Sequence, residues 1–155
     1  MAVGLSLLKR LGESSFWRHT GRLHASLYRA TGGRIGHSAG KLKNLLLTTT
    51  GRKSGERRTV PLTYMEDGAR WILVASNGGA DRHPAWWLNL ERDPRAVVQV
   101  GARVASVTAR RADAAEGARL WPMLKAMNPF YAAYEQITAR DIPVVILEET
   151  PQEAR

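Results

Sequence analysis

The chain of 155 residues contains no cysteine. Disulfides, thiolate zinc sites and cysteine nucleophiles are therefore excluded, and the reducing cytoplasm is the expected compartment. No run approaches the ~20 apolar residues needed to span a bilayer. The first apolar run, residues 2–8, is short and is followed by Lys9 and Arg10 instead of a small-residue cleavage site, so no secretory signal is expected. Acidic residues are scarce: 14 Asp and Glu stand against 23 Lys and Arg, a net charge of +9. They are especially few near the motifs described below, which leaves an acid–base dyad without support. His19, His24, His37 and His83 show no metal-ligand spacing, and none joins a nucleophile motif, so no metal is expected. An enzyme with this inventory takes its reactive atoms from a cofactor.

The positive excess suits nucleic acid, anionic lipid or an anionic small molecule, and its sign alone does not choose among them. Its distribution is more informative. Residues 1–40 read as a basic amphipathic N-terminal segment, helical or partly disordered. Leu5, Leu8, Leu11, Phe16, Leu23, Leu27 and Ala30 recur at helical spacing, with Lys9, Arg10, Arg18, Arg22 and Arg29 on other positions. Their apolar stripe either packs on the domain or lies on an anionic membrane surface. The Gly-rich stretch 31–40 reads as a linker.

From residue 41 to 155 the period changes from helical to β. Strands are expected at 42–50, 57–65, 69–76, 96–100, 103–109 and 142–148, with turns at GRKSGE, EDG and VGAR. Six strands with short connections imply a mainly β domain with peripheral helices, an antiparallel sheet that curls into a barrel. Pro84 opens a helix to about residue 91, and Asp113 caps another that runs to about residue 127. Asn128-Pro129 separates that helix from a third at 130–138.

Two stretches carry the chemistry. In LLLTTTGRKSGERRTVPL, residues 45–62, a turn with Arg52, Lys53, Ser54, Gly55, Arg57 and Arg58 sits between two strands. It lacks the order of a nucleotide-triphosphate loop and precedes a strand, yet two Gly flanked by cations and a hydroxyl can grip one phosphate or carboxylate. An ordinary solvated hairpin tip is the alternative. Pro61, lacking an N–H, belongs at a strand edge or bulge, where free backbone groups can bond a heterocycle. In ASNGGADRHPAWWLNL, residues 75–90, Ser76, Asn77, Gly78 and Gly79 offer a shelf of donors of the kind that stabilises negative charge on a ring. Trp86 and Trp87 face different directions on a helix, so one belongs to the core, and Trp86 is the one expected at a pocket. Asn89 shares the Trp86 face and either bonds a ligand or caps neighbouring backbone. Tyr131 and Tyr134 form a second same-face pair.

Three blocks, TTTGRKSGERRTVPL, VASNGGADRHPAWWLNLERDP and NPFYAAYEQITARDIPVVILE, closely resemble the deazaflavin (F420)-dependent nitroreductase family in order and spacing over residues 41–149. The resemblance implies a split β-barrel of the FMN-binding type that holds coenzyme F420, a 5-deazaflavin with an anionic phospholactyl-polyglutamate tail. The tail would lie against Arg52, Lys53, Ser54 with Gly55, and Arg58. The ring would rest on the backbone of Val60, Pro61 and Leu62 and of Val74, Ala75 and Ser76, closed by Asn77, Gly78, Gly79, Trp86 and Asn89. Tyr131 and Tyr134 match tyrosines on the family's substrate side and, with Ser76, form the candidate catalytic set. Where efficient nitroimidazole reducers carry a further tyrosine, this chain has Asn128.

The function expected is F420H2-dependent hydride transfer to a quinone or another electron-poor acceptor, with nitroreductase side activity. An FMN-dependent reductase on the same fold and a non-catalytic F420 carrier are the alternatives. A third class, a binder of anionic surfaces or nucleic acid, would need no coenzyme and lose affinity steeply with salt. On the coenzyme reading no nucleic-acid partner is expected. The acceptor would be a quinone or nitroaromatic, the chain a monomer or homodimer, and its place the cytoplasm, with peripheral contact at the inner face of the cell membrane.

Overall fold

The computed structural model describes residues 15–34 and 36–151. Leu5, Leu8 and Leu11 of the N-terminal stripe lie outside these, and only the backbone is described for residues 15–22. The elements run α1 (Ser15–Ala30), β1 (Ser38–Ala39), β2 (Leu42–Thr50), β3 (Arg57–Asp67), β4 (Arg70–Val74), a 3-10 turn (Asn77–Gly79) and α2 (Ala85–Arg92). They continue with β5 (Arg95–Val100), β6 (Arg103–Arg111), α3 (Ala114–Met127), α4 (Phe130–Ile137) and β7 (Val144–Glu149).

Six antiparallel strands close a barrel in the order β2-β3-β4-β7-β6-β5, with β5 returning to β2, and β1 extends the start of β2. Period-two alternation explains how apolar runs fill both sides of the wall. Leu45 and Leu47 point inward with Leu73, Val98, Val107, Val145 and Leu147, while Leu46 between them points outward beneath α1. Ile72, Val74, Val144 and Ile146 likewise face outward under α3 and α4, against Leu120, Leu124 and Tyr131. Strands covered on both faces read as continuous hydrophobic runs, and β4 and β7 do so.

The third helix begins as expected at Asp113. Its carboxylate accepts the Glu116 N–H at 2.8 Å, while Glu116 accepts the Asp113 N–H at 3.1 Å, a complete capping box. Glu116 also accepts from Arg110 at 2.7 Å and from Arg70 at 3.3 Å, and Asp67 accepts from Arg70 and Arg119. These bonds tie α3 to the β3–β4 hairpin and to β6. The flanking guanidinium groups hold both carboxyls at about 2, well below the usual carboxylate range.

Two readings of the N-terminal region need correction. The face of α1 that packs is Ala25 and Tyr28, against Leu46, whereas Leu23 and Leu27 are 64% and 42% exposed. Tyr28 is fully buried: its phenol accepts the Gly101 N–H at 2.7 Å and donates to the Asn44 carbonyl at 3.1 Å. A buried tyrosine that reaches β2 and the turn after residue 100 outweighs leucines on the wrong side of the helix. The stretch read as a linker is a structured turn. Gly33 donates to the Tyr28 carbonyl and packs so closely on Gly101 that a Cβ would lie 2.5 Å from the Gly101 Cα.

Candidate active site

The barrel is split between β3 and β4. Residues 57–64 of β3 pair with β2 alone, and β3 meets β4 only through Met65–Ile72, Glu66–Trp71 and Asp67–Arg70. Beyond that hairpin the strands diverge, and the far end of β4 pairs only with β7. Two free edges therefore open from one hairpin. The first carries half-buried Val60, Pro61 and Leu62; the second carries buried Val74, Ala75 and Ser76. Pro61 pairs opposite Leu46 in the half of β3 that has only one neighbour, where a missing N–H is tolerated.

The second edge ends in a concave curve of backbone. Ser76 is right-handed (φ −75°, ψ −30°), and Asn77 turns left-handed (φ 47°). Successive residues of these two hands point their N–H groups into a common concavity. The Gly79 and Ala80 N–H groups close the turn on the Ser76 and Asn77 carbonyls, while those of Ser76, Asn77 and Gly78 donate to no backbone carbonyl among the described residues. The Asn77 side chain braces the turn by donating to the Arg82 carbonyl at 3.0 Å.

A residue that sequence reasoning missed holds this shelf. The Arg140 guanidinium donates to the carbonyls of Ser76 (2.7 Å), Ala75 (3.2 Å), Ala80 (2.8 Å) and Asp141 (3.1 Å), and to His83 Nδ1 (3.2 Å). A guanidinium only donates, so His83 Nδ1 accepts and the ring is neutral with its proton on Nε2. Burial first, then the Arg140 charge, push His83 below its ordinary value. The Ala75 N–H donates to the Pro143 carbonyl at 2.9 Å, so the whole shelf hangs on residues 140–143. The only hint in the sequence was an arginine between a helix and a strand.

At the other end of β3, the hairpin tip gathers Arg52, Lys53, Arg57 and Arg58, all exposed, around a single carboxylate, Glu56. Gly51 and Gly55 close the turn through two backbone bonds of 2.8 Å, and Ser54 Oγ accepts the Glu56 N–H at 3.2 Å. Arg58 pairs with Glu56 at 2.6 Å, a partner that sequence spacing did not single out. Asn89 fixes the tip from α2: its Oδ1 accepts the Arg52 backbone N–H at 3.1 Å and Nη1 at 3.3 Å, while its Nδ2 donates to buried Thr49 at 3.1 Å. Trp86 and Trp87 both lie in the barrel core, 7% and 5% exposed, so burial does not set one apart as the pocket residue.

Helix α4 brings Tyr134 to the shelf. A Cβ on Gly79 would fall 2.6 Å from Ile137 Cδ1 and 3.2 Å from Tyr134 Cδ1, so α4 rests directly on the turn. Tyr131 is buried and stacks on Trp121 at 6.2 Å; Tyr134 is half-buried and stacks on Phe130 at 6.4 Å. Burial pushes both phenols up, with the Asn128 amide pulling Tyr131 the other way, so both stay protonated at neutral pH. Asn128 itself caps α4, accepting the Phe130 N–H at 3.2 Å. The donors fit a ligand with an anionic tail and a ring able to carry negative charge: exposed cations at the tip that begins the first edge, and N–H groups without a backbone acceptor at the end of the second. No group of three or more potential metal-ligating side chains occurs among the described residues.

An antiparallel barrel split along β3, with a cationic hairpin on one free edge and a donor turn against Tyr134 on the other, defines a split-barrel protein of the flavin- and deazaflavin-binding type. The chain belongs to the F420H(2)-dependent quinone reductase family, whose model matches residues 20–149. It is 43% identical over 138 residues to an F420H(2)-dependent quinone reductase of Mycobacterium tuberculosis, covering 84% of this chain and 93% of the relative. A solved F420-H2 dependent reductase is 40% identical with a TM-score of 0.63, covering 68% of this chain and 93% of its own. Another solved relative, described as a domain-swapped dimer, is 35% identical with a TM-score of 0.66, covering 82% of this chain and 95% of its own.

Proposed function

We propose that the chain is an F420H2-dependent oxidoreductase that reduces quinones. The observation that carries this reading is the pairing of family membership over residues 20–149 with a split whose two edges offer the donors such a coenzyme needs. Arg52, Lys53 and Arg58, with the Ser54 hydroxyl, hold the anionic tail through charge-assisted bonds. The edges at Val60, Pro61, Leu62 and at Val74, Ala75 hold the ring between them, with Trp86 and Asn89 supporting the walls. The N–H groups of Ser76, Asn77 and Gly78, which donate to no backbone carbonyl, would stabilise negative charge on the ring.

When bound, the reduced deazaflavin supplies a hydride from its C5. This chain's residues supply position and a proton. Tyr134, which touches the shelf, and its neighbour Tyr131 both stay protonated at neutral pH, which supports either as the donor of a proton to a quinone oxygen. The site needs no covalent catalysis, because orientation of two bound reactants already removes much of the barrier.

Finer features extend this reading. Leu23 and Leu27, exposed on α1, give peripheral contact with a membrane that holds a lipid-soluble quinone. Nitroaromatics are slower acceptors, with Asn128 standing where a tyrosine serves the efficient nitroimidazole reducers. The test is fluorescence titration with F420 and separately with FMN, followed by menadione and a nitroimidazole added to the reduced-coenzyme complex. Selective F420 binding with rapid quinone-dependent oxidation supports the proposal. Binding without turnover would leave a carrier, and preference for FMN would overturn the coenzyme assignment.

A further inference from the structure

Arginines on the strands pair with carboxylates: Arg58 with Glu56, Arg95 with Asp93, Arg103 with Glu149 and Arg110 with Glu116. Arg57, at the start of β3, and Arg29, in the last turn of α1, form no ion pair among the described residues. Their guanidinium groups donate to hydroxyls instead, Arg29 to Thr59 and Arg57 to Thr50 at 3.3 Å, and Thr59 is itself bonded to Thr48 at 2.8 Å. A neutral acceptor orients a guanidinium without cancelling its charge, and most of its five donors stay available. Asp93, which acts on Arg57 through space, is already held by Arg95 at 2.9 and 3.0 Å. Pairing register puts both cations on one surface. Thr50 lies opposite Arg57, Thr48 opposite Thr59 and Leu46 opposite Pro61. Alternation along the strands gives these residues the outer face of the hairpin, where α1 covers Leu46. Arg58 shares the opposite face with Val60 and Leu62, which pack on the barrel core. The free half of β3 therefore carries cations on both faces, beginning at the tip that bears Arg52 and Lys53.

We propose that Arg57 and Arg29 continue the tail site over the outer face of the hairpin and bind carboxylates of the polyglutamate beyond the phosphate, which makes α1 part of the coenzyme site. The proposal rests on the F420 reading above and extends it from the phosphate to the length of the tail. Exposed guanidinium groups held by hydroxyls suit an extended polyanion, because each carboxylate meets a cation without displacing another carboxylate. A purely structural Arg29 would staple α1 to β3 and be indifferent to how long the tail is.

The test measures dissociation constants of two forms of F420, one with its full polyglutamate tail and one ending at the phospholactyl group, at low and high salt, for wild type, Arg57→Gln, Arg29→Gln and Arg29→Lys. Wild type should bind the full tail about three- to tenfold tighter at low salt and lose that advantage as salt rises, the scale of two exposed ionic contacts. Arg57→Gln and Arg29→Gln should each remove part of the advantage and leave the truncated form bound as in wild type. Arg29→Lys, which keeps the charge, should retain most of it. Equal weakening of both forms in Arg29→Gln, or equal binding of the two forms by wild type, would overturn the proposal while the F420 reading stands. Should Arg29→Gln fail to fold, Arg57→Gln and Arg29→Lys decide. Wild type binding neither form would overturn the coenzyme reading and this proposal with it.

Discussion

Gly79 is the point where the shelf and the tyrosine helix meet, and its replacement by alanine separates two costs that a single variant confuses. The residue has φ 79°, in the left-handed region, where an L side chain costs about 1–2 kcal/mol. The added Cβ would also sit 2.6 Å and 2.8 Å from the Ile137 Cδ1 and Cγ1 atoms, an overlap that must displace the Ile137 side chain or α4 with it. Overpacking of this kind costs about 1–3 kcal/mol. Together they predict a loss of about 2–5 kcal/mol in urea unfolding for Gly79→Ala. The two costs separate in a double-mutant cycle. In an Ile137→Ala background the two closest overlaps are gone, and the backbone cost of about 1–2 kcal/mol should remain with a lesser one from Tyr134 Cδ1 at 3.2 Å. The assay is the urea midpoint of the four proteins, with unchanged slopes showing that the unfolded state is not the source. An equal cost of Gly79→Ala in both backgrounds would refute the contact between the turn and α4. A cost near zero in the wild-type background would refute the left-handed turn itself.

The remaining expectations concern the anchors and the site. Asn89→Ala strands the buried Thr49 hydroxyl and should cost about 1–3 kcal/mol in unfolding while loosening coenzyme binding at the hairpin; stability within error of wild type would dismiss Asn89 as the anchor. Replacing Arg52 and Lys53 together by alanine should weaken F420 binding by several-fold to a few hundredfold, or about 1–3 kcal/mol, and unchanged affinity would move the tail elsewhere. Tyr131→Phe and Tyr134→Phe should reduce quinone turnover, by ~10² if one phenol is the sole proton donor, while coenzyme affinity holds; the reverse pattern would place the tyrosines against the coenzyme. Asp67 and Glu116, depressed to about 2, bind fewer protons folded than unfolded. Their stabilisation is therefore complete above the unfolded values of about 4 and is lost as pH falls toward 2. Melting temperatures of wild type and Asp67→Asn should thus converge across that window, and parallel curves would count against the Asp67 contribution.

Local pattern told where the elements lie, because it reports on nearest neighbours along the chain. The strand at 42–50 agrees with β2 at both ends, and β6 and β7 differ from their expected bounds only at the edges, where pairing with other strands sets the last residue. Asp113 marked a helix start that needs no tertiary partner, and folding added Glu116 to complete its capping box. The cationic hairpin and the Gly-rich turn were equally visible, since each is a run of a few residues. Six antiparallel strands with short links also pointed to a barrel before any coordinates.

Tertiary structure decided which side chains those elements turn toward one another. Leu23 and Leu27 match a helical stripe, yet Tyr28 sets the buried face because only it reaches the Asn44 carbonyl and the Gly101 N–H, 16 and 73 residues away. Asn89 meets Thr49 across 40 residues, and Arg140 meets Ser76 across 64, distances over which no sequence period carries information. The two tryptophans show the same limit: adjacency places them on different sides of α2, but the barrel core encloses both. Sequence therefore determined the inventory of strands, turns and donors, through spacing that repeats within one element. Which donors remain free to meet a ligand was decided only by folding, because a backbone N–H becomes available or occupied according to what lies across the barrel.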